Sequence, residues 1–266
     1  MTAVRSSECV AFAYFLYLAT VCWLRPLPTR RRLFVTTLSL VAAAIVFAVR
    51  SAPPLIRDWI PLPYILAGYY LTGRLFVAPS EALERWLLAW DRRLFGDPTT
   101  RFARWPGWLV AYLDIVYVFC FLLPPGGLLA LTVAGRLDRA DHYWTIVLAA
   151  NLGAFAPLSV FQTRPPWMLE RAPDLAARSV HRQASYVVQR ATIRANTFPS
   201  GHAAMSFAVA LAVVGSLPLT GVVLIAVAVS IAVACVVGRY HYAVDVVAGV
   251  LLAGAAWAAT EGGWGG

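Results

Sequence analysis

Asn196-Thr197-Phe198-Pro199-Ser200-Gly201-His202 leads directly into an apolar run, and a second stretch, Arg239-Tyr240-His241-Tyr242-Ala243-Val244-Asp245, leads into another. Imidazole and carboxylate groups at membrane depth are costly and are generally kept there for chemistry. We therefore expect the two stretches to form one active site at the ends of membrane helices.

The composition of the chain describes the setting of that site. Of the 266 residues, 60% are hydrophobic and 13% are charged, a balance that is too apolar for a soluble domain of this length. We predict an all-α, polytopic membrane helical bundle with about eight transmembrane helices and a six-helix catalytic core.

Apolar stretches along the chain carry this prediction. Each is close to the ~20 residues that a helix needs to cross a bilayer. The first is followed by Arg25 and a basic turn rather than by the cleavage site of a signal peptide. The stretches are 8–24, 33–49, 59–78, 108–134, 142–163, 203–217, 219–237 and 241–260, with Pro218 alone between the sixth and the seventh.

The same pattern divides the chain into three parts. Residues 1–80 hold N-terminal transmembrane helices, residues 81–107 an interfacial amphipathic segment, and residues 108–266 the catalytic membrane core. In the middle part, apolar residues recur at helical spacing among tryptophans, which favours a helix at the level of the lipid headgroups. A plain amphipathic connector is the alternative.

Charge and cysteine usage limit the partners. All 22 basic residues are arginine and the formal net charge is +9. No basic helix or aromatic module outside the membrane favours nucleic acid, so we expect membrane lipids and a lipid phosphate or phospholipid substrate, with the oligomeric state left open. The four cysteines lack metal-ligand spacing, and we expect no metal and no organic cofactor.

The two stretches have complementary chemistry. Ser200 and Gly201 begin a helix whose free backbone N–H groups face a possible anion, and His202 lies in its first turn. His241 and Asp245 are four residues apart on one helix face. The carboxylate fixes the imidazole tautomer and leaves the other nitrogen free to attack or to take a proton. A histidine with an orienting acid and one without suggest a nucleophile and a general acid.

These motifs resemble the signatures of the type 2 phosphatidic acid phosphatase superfamily. Pro199-Ser200-Gly201-His202 and His241-x3-Asp245 resemble its second and third signatures, and Gln162-Thr163-Arg164-Pro165-Pro166 resembles its first. The resemblance implies a membrane enzyme that hydrolyses or transfers phosphoric esters of lipids.

The resemblance also implies a role for each matched residue. His241 attacks phosphorus and forms a phosphohistidine, Asp245 orients it, and His202 protonates the leaving group. Arg164 and the backbone at Ser200 and Gly201 hold the phosphate.

Two positions depart from the superfamily pattern. Pro157 stands where the first signature usually has a lysine, and Cys235 stands where the third usually has an arginine. Arg239, Arg190 and Arg194 lie close enough in sequence to the signatures to be candidate replacements for these phosphate ligands.

A branch of the superfamily resembles this chain further. His241-Tyr242-Ala243-Val244-Asp245 has the compact His-Tyr-x-x-Asp form of inositol phosphorylceramide synthases and sphingomyelin synthases, and Asp91-Arg92-Arg93-Leu94-Phe95-Gly96 resembles an upstream element of that branch. This similarity covers residues 81–255. Head-group transfer, such as inositolphosphotransferase or phosphosphingolipid synthase activity, is therefore an alternative to hydrolysis.

A transporter is the alternative from a different class. Intramembrane charges such as Arg74 and Asp114 are compatible with a transport path, but the sequence shows no paired broken helices and no repeat halves. A purely structural membrane protein would have no need of His202, His241 and Asp245 together.

Two arguments disagree about the membrane face that carries the site. Loops on the site-bearing side hold 16 arginines against 5 on the other, and the positive-inside rule then places the site in the cytoplasm. The superfamily resemblance places it on the periplasmic or lumenal face of, we expect, a bacterial cell membrane. We favour the latter, because arginines in residues 79–107 are expected to lie among lipid headgroups.

Overall fold

The computed structural model describes residues 3–170, 183, 186, 190, 192, 193 and 195–264. This part of the chain is built from α-helices joined by short 3₁₀ turns. The helices are α1 (Ser6–Val21), α2 (Thr29–Val49), α3 (Pro54–Trp59), α4 (Pro61–Gly73), α5 (Glu81–Phe95), α6 (Pro98–Ala103), α7 (Gly107–Phe119), α8 (Leu123–Val133), α9 (Ala140–Phe155), α10 (Gly201–Val214), α11 (Pro218–Val237) and α12 (Ala243–Trp264).

Helix length and hydropathy confirm the predicted all-α membrane class. Among the described residues, five helical segments are long and apolar enough to cross a membrane: Ser6–Leu24, Thr29–Val49, Gly107–Val133, Pro218–Val237 and Ala243–Gly262. Helices α4, α9 and α10 coincide with the other predicted spans but have only 13, 16 and 14 residues. Eight full crossings therefore stay a prediction.

Helix α10 is the packing centre of the bundle. It contacts α9, α11 and α12, and its buried face is rich in alanine, which lets neighbouring backbones approach closely. The approach of α12 is tightest at Gly249, where an added Cβ would lie 2.5 Å from the carbonyl oxygen of Ser200. Small residues thus bring the two histidine-bearing helix starts together.

The N-terminal helices pack around α1 and against α9. Helix α1 contacts α2, α4 and α9. Buried ion pairs fix the start of α1 to α3, with Arg57 Nη2 2.7 Å from Glu8 Oε1 and Arg5 Nη1 2.6 Å from Asp58 Oδ1.

Helix α5 is amphipathic, with two carboxylates on its buried face and tryptophan on its outer face. Glu84 and Asp91, seven residues apart, are 3% and 0% exposed, whereas Trp86 is 47% exposed. A helix places residues seven apart on the same face, so one face of α5 presents two carboxylates to the protein interior while tryptophan lies on its outer surface.

Candidate active site

A chain of three side chains joins the two predicted motifs. Nδ1 of His202 lies 3.2 Å from Nε2 of His241, and Nδ1 of His241 lies 3.3 Å from Oδ2 of Asp245. Asp245 lies in the first turn of α12, whereas His241 lies two residues before that helix and not on its face as the sequence predicts, and His202 occupies the first turn of α10. The three predicted catalytic residues thus lie together.

The geometry assigns different hydrogen-bonding roles to the two histidines. If Nδ1–H of His241 donates to Asp245, its Nε2 carries a lone pair and accepts from Nδ1–H of His202. His202 is also stacked on Tyr117, with ring centroids 4.6 Å apart. Its Nε2 is buried and has no hydrogen-bond partner among the residues with described positions.

Asp245 is held by a residue from the start of the second motif. Asn196 donates from Nδ2 to Oδ2 of Asp245 at 2.7 Å and to Oγ1 of Thr163 at 3.2 Å. A backbone hydrogen bond of 2.7 Å also joins Asn196 to Thr163, beside the first signature. Asn196 therefore ties all three signatures together, a role that sequence reasoning missed although Asn196 begins the quoted stretch.

The backbone groups at the start of α10 already have partners. The N–H of Ser200 donates to the carbonyl oxygen of Asp245 at 2.9 Å, and the N–H of Gly201 donates to Oγ1 of Thr197 at 3.1 Å. Ser200 caps the helix by accepting from the N–H of Ala203. Phosphate binding by the first two amides would thus require an exchange of these hydrogen bonds.

Arg164 is bound by a carboxylate of α5. Glu84 accepts from the backbone N–H, Nε and Nη2 of Arg164 at 2.7, 3.0 and 2.7 Å. Burial by itself raises the pKa of Glu84, but these hydrogen bonds and the positive charge outweigh it and hold the pKa below its usual value. The Arg164 side chain is still 35% exposed.

Arg239 is enclosed by two carboxylates. Its Nη1 lies 2.8 Å from Oδ2 of Asp91 and its Nη2 lies 2.6 Å from Oε2 of Glu170, while its side chain is 2% exposed. Asp91 also accepts from the N–H of Ala243 at 2.9 Å, at the start of α12. The guanidinium of Arg239 is thus engaged by two carboxylates, and Arg239 is not among the described residues that line the cavity beside the histidine pair.

The remaining candidate phosphate ligands are less informative. Arg190 is exposed and its guanidinium carbon lies 4.4 Å from the ring centroid of Tyr186, a cation–π contact. Arg194 lies outside the described residues. Cys235, which stands where the superfamily usually has arginine, is fully buried and accepts through its carbonyl oxygen from the N–H groups of Tyr240 and His241.

A largely apolar cavity opens beside the histidine pair. About 720 Å³ of space outside the protein atoms, part of it open to the surface, lies between α4, α7, α9 and α10. His202, His241, Asn196 and Thr197 form its polar end, and aliphatic and aromatic side chains such as Ile65, Leu66, Tyr69, Phe121, Phe155 and Trp167 form most of the remainder. An apolar chain attached to a polar head fits this division.

A comparison with protein families matches the same part of the chain. The model of a family described as the PAP2 superfamily matches residues 85–259, a range that contains His202, His241 and Asp245. The chain belongs to the PAP2 superfamily. No curated protein and no solved structure matches it significantly.

PAP2 membership supports an activity of the phosphatase or phosphotransferase type in a membrane protein. The matched range begins within α5 and ends within α12. Helices α1 to α4 thus lie outside the PAP2 match, although α4 contributes Ile65, Leu66 and Tyr69 to the cavity.

Proposed function

We propose that this PAP2 protein cleaves lipid phosphoesters through a phosphohistidine formed on His241. The observation that carries the proposal is the hydrogen-bonded series of His202, His241 and Asp245 at the polar end of an apolar cavity. A hydrolase passes the phosphoryl group to water, and a phosphotransferase passes it to an alcohol.

The first half-reaction uses both histidines. The substrate phosphate takes the place of the contact between them, and Nε2 of His241 attacks phosphorus while the bond from phosphorus to the lipid oxygen breaks. The imidazolium form of His202 gives a proton to the departing oxygen and is left as the neutral imidazole. Asp245 accepts the Nδ1–H of His241 and stabilises the positive charge that develops on the ring.

The second half-reaction reverses these roles. Water, or the hydroxyl group of an alcohol, attacks the phosphohistidine, and His202 takes its proton as the bond from phosphorus to Nε2 of His241 breaks. The product is inorganic phosphate when the donor is a monoester and the acceptor is water, or a new phosphoester when the acceptor is an alcohol. Both outcomes need the same protein groups.

Arg164 and Arg239 have different roles in this proposal. Arg164, whose side chain is partly exposed, contributes positive charge for phosphate binding. Arg239, enclosed by Asp91 and Glu170, holds the turn that carries His241. The loss of Arg239 would therefore act through the position of the nucleophile.

Two alanine variants test the mechanism with phosphatidic acid in detergent. His241→Ala should lose at least about 10²-fold in turnover and form no acid-labile phosphoenzyme. His202→Ala should lose turnover but still form the phosphoenzyme from an ester with an activated leaving group, which needs no proton from the protein. Full activity in His241→Ala would exclude the phosphohistidine.

A further inference from the structure

Asn151 lies in an unusual environment on the wall of the cavity. It is in the second half of α9, is 1% exposed, and is the one amide side chain among otherwise apolar residues between Ile146 and Phe155. Its Oδ1 is buried and has no hydrogen-bond partner among the residues that the structure describes. The same residue lines the cavity that contains His202 and His241.

An unpaired amide oxygen in this position is costly. A buried polar group without a partner keeps its full desolvation penalty, whereas an apolar side chain of similar shape at the same position would carry none. None of the hydrogen bonds that join α9 to the other described residues uses the amide oxygen of Asn151. A ligand in the cavity can supply the hydrogen bond that the described residues do not.

The hydrogen-bonding and charge properties of the cavity-lining residues determine which kind of chemical group can bind to Asn151. Amide oxygens accept hydrogen bonds, so the ligand must donate one, which a fully ionised phosphate oxygen does not. An ammonium group would need a nearby carboxylate to offset its desolvation, and none of the described cavity-lining residues is Asp or Glu. A neutral hydroxyl group meets both conditions.

A second amide side chain that lines the cavity supports the same conclusion. Asn196 also lines the cavity, and its Oδ1 is buried without a described partner while its Nδ2 is committed to Asp245. Two residues that line the cavity therefore each carry a buried acceptor oxygen without a described donor.

We propose that Asn151 binds a hydroxyl group of the molecule that donates or accepts the phosphoryl group. The inference rests on the proposed function and makes Asn151 a specificity-determining residue within it. The hydroxyl belongs either to the head group of the donor lipid or to the acceptor alcohol.

The test compares the wild type with Asn151→Leu, which keeps the approximate shape and removes the amide. Leu148→Met, which changes a buried α9 residue outside the cavity lining, is the matched control. Three assays are run in detergent. The first uses phosphatidic acid with water as the acceptor, the second uses phosphatidylglycerol with water as the acceptor, and the third uses phosphatidic acid with added glycerol as the acceptor. Thermal unfolding is measured for each variant.

We expect Asn151→Leu to lower the rate of one hydroxyl-dependent assay by about three- to tenfold relative to phosphatidic acid in water, the range for one hydrogen bond between neutral groups. A loss with phosphatidylglycerol assigns the hydroxyl to the donor, and a loss in glycerol transfer assigns it to the acceptor. Because the amide oxygen has no partner among the described residues, Asn151→Leu should unfold at the wild-type temperature or higher.

Several results would overturn the inference. Equal rate changes in all three assays, or a marked fall in unfolding temperature, would give Asn151 a structural role. The inference would also be overturned if the wild-type protein hydrolysed phosphatidic acid but neither cleaved phosphatidylglycerol nor used glycerol as an acceptor. A wild type inactive on every lipid would refute the proposed function itself, and Asn151 would then have no role in phosphoryl transfer.

Discussion

Two loops beside the cavity each hold an arginine close to a signature motif, and the two arginines are bound differently. In the first-signature loop, Arg164 is paired with one carboxylate and its side chain is 35% exposed. In the third-signature turn, Arg239 is paired with two carboxylates and its side chain is 2% exposed. An exposed guanidinium can still meet an anion, whereas a fully enclosed one serves the structure around it. Burial thus separates two residues that look alike in the sequence.

The largest expected effect tests whether Arg239 is structural. Arg239→Met leaves Asp91 and Glu170 without their buried partner, and such a loss typically costs about 3–5 kcal/mol. Arg164→Met should cost less, because water reaches Arg164 and screens the pair. Chemical denaturation in detergent measures both.

Arg85→Met is the control for that comparison. The Arg85 side chain is 71% exposed and pairs with Glu81 across one turn of α5, so its loss should be within about 0.5 kcal/mol of zero. An Arg239→Met variant as stable as this control would remove the distinction between the two loops.

The next effect tests whether Arg164 meets phosphate. Arg164→Ala should lower kcat/KM by an amount that corresponds to a loss of about 1.5–3 kcal/mol in transition-state stabilisation, the scale of a charge-assisted hydrogen bond. Arg164→Lys should recover only part of it, since an ammonium cannot form the paired hydrogen bonds of a guanidinium. Steady-state kinetics on phosphatidic acid measures both variants. Unchanged kcat/KM in Arg164→Ala would transfer phosphate binding to other groups.

The backbone of the third-signature turn gives a smaller effect. Arg239 has φ 58°, in the left-handed region that glycine adopts without strain. Arg239→Ala and Arg239→Gly lose the same ion pairs, so the glycine variant should be about 1 kcal/mol more stable than the alanine variant. Equal unfolding free energies would mean that the turn relaxes once the side chain is removed.

Local sequence pattern predicts most of the helices and the centre of the site. Apolar stretches of membrane length coincide with helices, and the four-residue spacing of His241 and Asp245 brings their side chains into contact at the start of α12, although His241 precedes the helix. The meeting of His202 and His241 is also predictable, because each begins an apolar helix on the side of the bundle where the motifs fall. These features depend on residues close together in the chain.

The partners of the arginines are not predictable in this way. Glu84 and Asp91 lie on a connecting helix about 80 and 150 residues before the arginines that they bind. Nothing in a single sequence indicates which distant carboxylate reaches which guanidinium. The same limit explains why Arg239, the arginine nearest to His241, is predicted as a phosphate ligand although α5 and Glu170 enclose it.

The smallest expected effect is a pH dependence at the first-signature loop. Arg164 holds the folded-state pKa of Glu84 below its ordinary value of 4.5. A carboxyl group with a depressed folded-state pKa stabilises the protein fully above the ordinary value, and this contribution disappears as the pH falls through the folded-state pKa. Glu84→Gln does not titrate, so the wild type should exceed it in unfolding temperature at neutral pH, and the gap should narrow as the pH falls below 4.5.

Glu81→Gln is the matched control for this pH series. Glu81 lies in the same helix, but its side chain is 77% exposed, and its loss should give a small difference from the wild type that changes little with pH. Because Arg164 is partly exposed, water screens the pair and the Glu84→Gln difference should be about 1 kcal/mol or less. A gap that stays constant from neutral to acidic pH would show that Glu84 stabilises the loop by shape and hydrogen bonding. The contrast between a screened first-signature pair and an enclosed third-signature pair would then rest on Arg239 alone.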